Sequence, residues 1–354
     1  MMDSFAYIAH PARVWFGDGR VRHVTDEVDA LGASRALVLC SAGHRGEAQE
    51  VAAMLGSRCV GIFAQAAMHV PIELARRARE HARELGADCA VAVGGGSTIG
   101  LGKAIALESA LPIVAVPTTY AGSEMTPIYG LTEGGVKRTG RDPRVLPRSV
   151  IYDPRFSATL PLSLSVCSGL NAIAHAAEGL YAANTNPIMQ LLAEEGIEAL
   201  GRALPALCDD PSDPRARRDA LYGSWLCGSV LAHVDMALHH KLCHTLGGSF
   251  DLPHAGTHAV VLPHALAYNA AAVPDAMRRI AGALGVDDAP AGVYELARRC
   301  GAPVSLREIG MPADALDRAC ELALQGQYPN PRQLQQQEIR ALLQRAYDGS
   351  PPQH

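Results

Sequence analysis

The stretch Val91-Ala92-Val93-Gly94-Gly95-Gly96-Ser97-Thr98-Ile99-Gly100-Leu101-Gly102-Lys103 decides the fold. An apolar run ends in three consecutive glycines and opens into a helical pattern that continues through Leu107. Glycines at a strand end let backbone N–H groups come close to an anion. The helix that follows adds unpaired donors and the positive end of its dipole. The combination suits a diphosphate. It is not a P-loop, because Ser97 stands where the first glycine belongs and Ala104 follows Lys103 where a hydroxyl residue belongs. It also departs from the standard dinucleotide fingerprint, since Ile99 occupies the third glycine position.

Working outward, apolar runs at 36–40, 60–63, 111–116 and 150–152 read as strands. A charged amphipathic helix at 72–85 lies between the second run and the glycine stretch, and Gly86 ends it. Continuous apolar strands separated by helices predict a parallel sheet covered on both faces. That is a doubly wound α/β domain, in which ligands bind at the carboxyl ends of the strands. A second loop, 117–126, follows the 111–116 strand and carries Thr118, Thr119 and Ser123. Two loops at one sheet edge point to one shared ligand, and the small hydroxyl residues of the second could reach a ribose or nicotinamide. Past Asp153-Pro154 the texture is helical: 168–181, 187–207, 214–246, 260–269 and onward to Ala346. The predicted organisation is therefore an α/β dinucleotide-binding domain over 1–157 and an all-helical substrate and catalytic domain over 158–354.

The 354 residues include 31 Lys+Arg against 36 Asp+Glu, a formal charge of -5. With no basic stripe, nucleic acid is not an expected partner. No uncharged run is long and apolar enough to span a bilayer, and Asp3, His10 and Arg13 interrupt any leader-like start. No membrane partner is expected, and the location expected is cytoplasmic. The nine cysteines form no CxxC pair, which argues against a zinc ribbon or a disulfide scaffold. Only Lys103, Lys137 and Lys241 supply lysines, and each falls in or beside a segment with an assigned role.

Eight of the 14 histidines lie between His175 and His264. His240 and His244 are four apart on one helix face, with Lys241 between them. Gly247-Gly248 is expected to end that helix, and His254 to begin a new segment. Asn171 and His175 are four apart on another helix. Converging imidazoles suit either a divalent metal or acid–base chemistry. A metal held by three neutral imidazoles and the neutral amide of Asn171 would have no anionic ligand, so bound iron or zinc is not expected.

The Gly94-Gly95-Gly96-Ser97 loop, Pro117-Thr118-Thr119 and the His240/His244/His254 block with Gly247-Gly248 resemble the iron-containing alcohol dehydrogenases over nearly the whole chain. In that family an Asp and three His hold iron or zinc. By motif they fall on Asn171, His175, His240 and His254, with Asn replacing Asp. That change is similar to one branch of the family, the maleylacetate reductases. So are the Tyr120 to Thr126 loop, the start Phe5-Ala6-Tyr7 with Arg13, and the late Asn330-Pro331-Arg332. The resemblance implies NADH- or NADPH-dependent reduction of the C=C bond of maleylacetate, and of chlorinated forms, to 3-oxoadipate in aromatic-compound catabolism. It implies a small dicarboxylate substrate, a homodimer, and contact of Lys137 with the nucleotide.

From this follow the expected roles. His244, His254, His240, His175 and Lys241 are catalytic, with His244 and His254 placed beside the nicotinamide. Ser41, Gly94, Gly95, Gly96, Ser97, Thr118, Thr119, Ser123 and Lys137 bind cofactor. Ser41 stands where the family often carries an Asp that excludes a 2′-phosphate, so NADPH is expected beside NADH. The alternatives are a metal-dependent alcohol or glycerol dehydrogenase, a lyase resembling dehydroquinate synthase, and a non-catalytic nucleotide-binding protein.

Overall fold

The computed structural model describes residues 5, 7, 9, 10, 13–134 and 136–353, without the side chains of Val136 and Lys137. The chain divides into two compact units, Met1–Leu160 and Pro161–His354.

In the first unit the strands are β1 (Arg13–Phe16), β2 (Ala36–Leu39), β3 (Cys59–Phe63), β4 (Cys89–Gly94), β5 (Ile113–Pro117), β6 (Ile128–Glu133), β7 (Val136–Arg141) and β8 (Ser149–Tyr152). Six of them form one parallel sheet in the order β1-β8-β5-β4-β2-β3. Its helices are α1 (Val24–Ala30), α2 (Arg45–Leu55), α3 (Ile72–Glu84) and α4 (Gly96–Ser109). Side chains alternate along each strand. Ala36, Val38, Val91 and Val93 pack with Val24, Val28, Val51 and Leu55 of α1 and α2. Leu37, Leu39 and Ala90 pack with Leu74, Ala78, Leu101 and Ile105 of α3 and α4. Both faces are therefore covered, as continuous apolar strands require.

From β2 the chain builds outward to β3 on one side and to β4 on the other. The order reverses between β2 and β4, and a ligand crevice forms at such a switch point. The glycine loop follows β4, and Ser41 follows β2.

One difference from expectation stands out here. β1 was not predicted. It is a four-residue edge strand whose partner Glu27 is fully buried on α1. Glu27 accepts from Trp15 Nε1 at 2.7 Å and from the Ser149 hydroxyl, and pairs with Arg13 at 2.9 Å. A strand held by such polar ties carries little hydrophobic signal. The hairpin-like stretch around Lys137 is formed by β6 and β7, which pair antiparallel apart from the main sheet.

The second unit contains α5 (Leu162–Tyr181), α6 (Pro187–Asp209), α7 (Pro214–His233), α8 (Leu238–Phe250), α9 (His254–Asn269), α10 (Pro274–Leu284), α11 (Ala289–Arg299), α12 (Leu316–Ala323) and α13 (Gln336–Asp348), with no strand among the described residues. The single helix expected over 214–246 is two helices, α7 and α8, parted at Val234–Ala237. The backbone N–H groups of Ala237 and His239 turn to the buried carboxylate of Glu178 instead of continuing α7. Gly247-Gly248 does not end α8, which runs to Phe250, where Asp251 takes the left-handed conformation. Among the described residues, no helix is long and apolar enough to cross a membrane.

Candidate active site

The nucleotide end of the first unit is built by close approach. Gly94 has φ of 154°, and a Cβ there would sit 2.4 Å from Thr98 Oγ1. A Cβ on Gly95 would lie 2.7 Å from Thr119 Cγ2, so only glycine lets the two loops touch. Gly94 O accepts from Thr118 N at 3.2 Å, joining the loops directly. Gly95 is the extended N-cap of α4, with no side-chain cap. The first N–H groups of the helix are therefore left without a side-chain cap, as an anion-binding helix start requires. Ser97 and Ser123 are half-buried at the starts of α4 and of the 123–125 turn. Lys137 lies on β7, and its side chain is outside the described residues.

Ser41 is linked to this edge by a residue not singled out in the sequence. His44 Nδ1 is 2.8 Å from Ser41 Oγ, and its Nε2 is 3.1 Å from Thr118 Oγ1. Its place three residues after Ser41 was the available signal.

In the second unit the imidazoles divide by exposure. His175, His239, His240 and His258 are buried, whereas His244 and His254 are exposed. The His175 and His240 rings stack with centroids 5.1 Å apart, and His240 and His258 lie 5.2 Å apart. His254 reaches the group through His258, at 4.5 Å, and His244 lies 6.3 Å from His240. His264, in the same helix as His254, stands apart from these ring contacts. Burial and Arg345 lower its pKa to about 4.

Glu178 organises the cluster. It is fully buried and accepts from Ala237 N at 2.9 Å, His239 N at 2.8 Å and His240 Nδ1 at 2.7 Å. It thus caps α8 and fixes the His240 ring, directing the unpartnered Nε2 away from the carboxylate. His239 Nε2 and His258 Nδ1 are 2.9 Å apart. Burial first, then neighbouring imidazoles, pushes His175, His239 and His258 well below the usual histidine pKa, so they are neutral at pH 7. Glu178 and His258 were missed in the sequence. Asn171, His175 and Glu178 follow i, i+4, i+7 spacing, and His254 and His258 follow i, i+4, so helix periodicity carried the signal.

Lys241 is half-buried with Nζ 5.8 Å from the centre of the Tyr328 ring. Tyr328 lines a cleft of about 400 Å³ with Asn330 and Arg332. Its hydroxyl is buried without a hydrogen-bond partner.

The metal expected of the family does not fit this donor set. Among the described residues, only His239, Cys243 and His258 bring three potential ligand atoms within 4.8 Å of one another. His175, His240 and His254 do not form such a group, and Asn171 adds no charge. The Cys243 thiol is raised far above its usual pKa by burial and by Glu178, and its two imidazole neighbours bond to each other. The set of His175, His240, His254 and Asn171 offers no anionic ligand.

The α/β unit with its glycine loop and the helical unit with its buried histidines define a nicotinamide-dependent oxidoreductase. The chain belongs to the iron-containing alcohol dehydrogenase family: the family profile "Iron-containing alcohol dehydrogenase" matches residues 11–154, and "Fe-containing alcohol dehydrogenase family, C-terminal" matches 165–347. It is 61% identical over 351 residues to a maleylacetate reductase of Burkholderia cepacia, covering 99% of this chain and 100% of that one. A maleylacetate reductase of Sphingobium indicum is 57% identical, with 99% of each chain covered. The crystal structure of maleylacetate reductase from Agrobacterium tumefaciens superposes with a TM-score of 0.96 at 52% identity, covering 99% of this chain and 100% of that one.

Proposed function

We propose that the chain reduces the C=C bond of maleylacetate to give 3-oxoadipate, using NADH and also NADPH. The observation that carries this reading is end-to-end identity above 50% to maleylacetate reductases. Asn171, in place of the family's anionic metal ligand, supports it over a metal-dependent alcohol dehydrogenase. A dehydroquinate synthase-like lyase is disfavoured for the same reason.

The substrate has an alkene conjugated to a ketone and a carboxylate at each end. Hydride from the dihydronicotinamide adds to the alkene carbon remote from the ketone, and the electron pair moves to the ketone oxygen. The resulting enolate collapses as a proton reaches the neighbouring carbon, leaving NAD(P)+ and the saturated 3-oxo dicarboxylate. The enzyme must donate hydrogen bonds to that oxygen as charge builds, and supply one proton.

Exposed His244 and His254 are the proton donors in this reading, because they alone of the cluster face solvent from which a proton can be replaced. His240, oriented by Glu178, and neutral His175 orient the enolate and donate to it. Lys241 pairs with a substrate carboxylate beside the Tyr328 cleft. No metal step is invoked. On the cofactor side, Ser41 presents a hydroxyl held by His44 and no negative charge, which leaves room for a 2′-phosphate. The chain works as a cytoplasmic homodimer in this reading.

One assay tests the proposal. Wild-type protein, treated with chelator, should oxidise NADH and NADPH with maleylacetate, and His244→Ala should lose about 100-fold or more in kcat. No nucleotide oxidation, or activity that returns only with added iron or zinc, would overturn it.

A further inference from the structure

Lys103 lies two turns into α4 and is fully buried. Its ammonium does not point at the nucleotide edge. Nζ donates to Ser123 O at 2.6 Å, Ile128 O at 2.7 Å, Thr126 O at 2.8 Å and Thr126 Oγ1 at 3.0 Å. Three N–H groups are thus shared among four oxygens, all from the end of the loop after β5 and the start of β6. The fully buried Glu124 belongs to the same turn and supplies the opposite charge, while its Oε1 accepts from Tyr152 OH at 2.8 Å. The other end of this loop is fixed at Gly94 and Gly95 through Thr118 and Thr119. The β4–α4 turn and helix α4 therefore hold the loop at both ends, with the glycines of the turn at the tip and the lysine of the helix at the base.

We propose that Lys103 is a positioning residue for the dinucleotide: its ammonium holds residues 118–126 in the shape that receives the cofactor, without touching the cofactor itself. The inference rests on the nucleotide reading above. Without the ammonium, three buried carbonyls lose their donor, and the loop must open to water to satisfy them. Apolar Met fills the volume but donates nothing.

The test measures NADH affinity by fluorescence without substrate, and steady-state kinetics with maleylacetate, for wild type, Lys103→Met and Thr126→Val. Circular dichroism reports folding. Lys103→Met should raise Kd and KM for NADH about tenfold or more, with kcat at saturating NADH within about threefold of wild type and KM for maleylacetate unchanged. Thr126→Val, which keeps the shape but removes the hydroxyl that accepts from Lys103 and Ile128 N and donates to Ser123 O, should raise Kd about two- to fivefold. If Lys103→Met does not fold, Thr126→Val decides, and an unchanged Kd overturns the inference. A folded Lys103→Met that binds NADH as tightly as wild type, or that loses kcat with Kd intact, overturns it too. A wild-type chain that binds neither NADH nor NADPH overturns the nucleotide reading and this inference together.

Discussion

At the scale of single residues, the decisive group in the histidine cluster is a glutamate. Glu178 receives two backbone N–H groups and one imidazole N–H in a fully buried position. Glu178→Gln keeps the volume but replaces one acceptor oxygen with a donor that faces an N–H. The expected result is a loss of about 1–3 kcal/mol in stability. A fall in kcat exceeding any change in KM should accompany it, because His240 loses its fixed ring orientation. Denaturant melts and steady-state kinetics check this, and a variant with wild-type kcat would remove His240 orientation from the mechanism. Glu178 was hard to see in the sequence because a lone carboxylate on an apolar helix resembles a surface position. Only the joint spacing with Asn171 and His175 betrays it. Lys241 was easier, since it sits between two histidines, but nothing in the sequence shows that its ammonium lies over the Tyr328 ring.

At the scale of elements, the glycine loop and the threonine loop act as one surface. Gly95 can approach Thr119 only for want of a Cβ. Gly95→Ala should therefore push the loops apart and weaken NADH binding about tenfold or more, while Thr119→Ala alone costs less. The double variant should recover part of the loss, because the new methyl then meets a smaller neighbour. Equal and additive losses across the four proteins, measured by NADH titration, would deny the contact any role. The strands and the glycine loop were legible because long apolar runs and three adjacent glycines have few other uses. The break between α7 and α8 was not legible, because no Gly or Pro marks Val234–Ala237. A long-range acceptor, Glu178, supplies the reason for the break, and local pattern does not record distant partners.

At the scale of the molecule, the two units carry buried ionisable groups that respond to acid in opposite senses. In the second unit, burial holds His175, His239 and His258 neutral and lowers His264 to about 4. Below the ordinary histidine value of 6.5, the unfolded chain binds protons that the native histidines refuse. Native stability then falls as pH drops, and His264 alone accounts for up to about 3 kcal/mol between pH 6.5 and 4. In the first unit, burial raises Glu124, so the native state takes up its proton before the unfolded chain does, and acidification favours the fold at that site. Lys103 is lowered to about 7, so its unfavourable proton uptake is complete once pH has fallen well below that value. The chain has two tryptophans, Trp15 in the first unit and Trp225 in the second, so each unit can be followed separately. In urea melts, Trp225→Phe leaves a reporter for the first unit and Trp15→Phe one for the second. Between about pH 7.5 and about pH 5, the midpoint reported by Trp225 should fall by more than that reported by Trp15. His264→Leu should reduce that fall, because it removes one group that gains a proton only on unfolding. Equal shifts in both reporters, or a larger shift at Trp15, would mean that the buried imidazoles do not govern the acid stability of the helical unit.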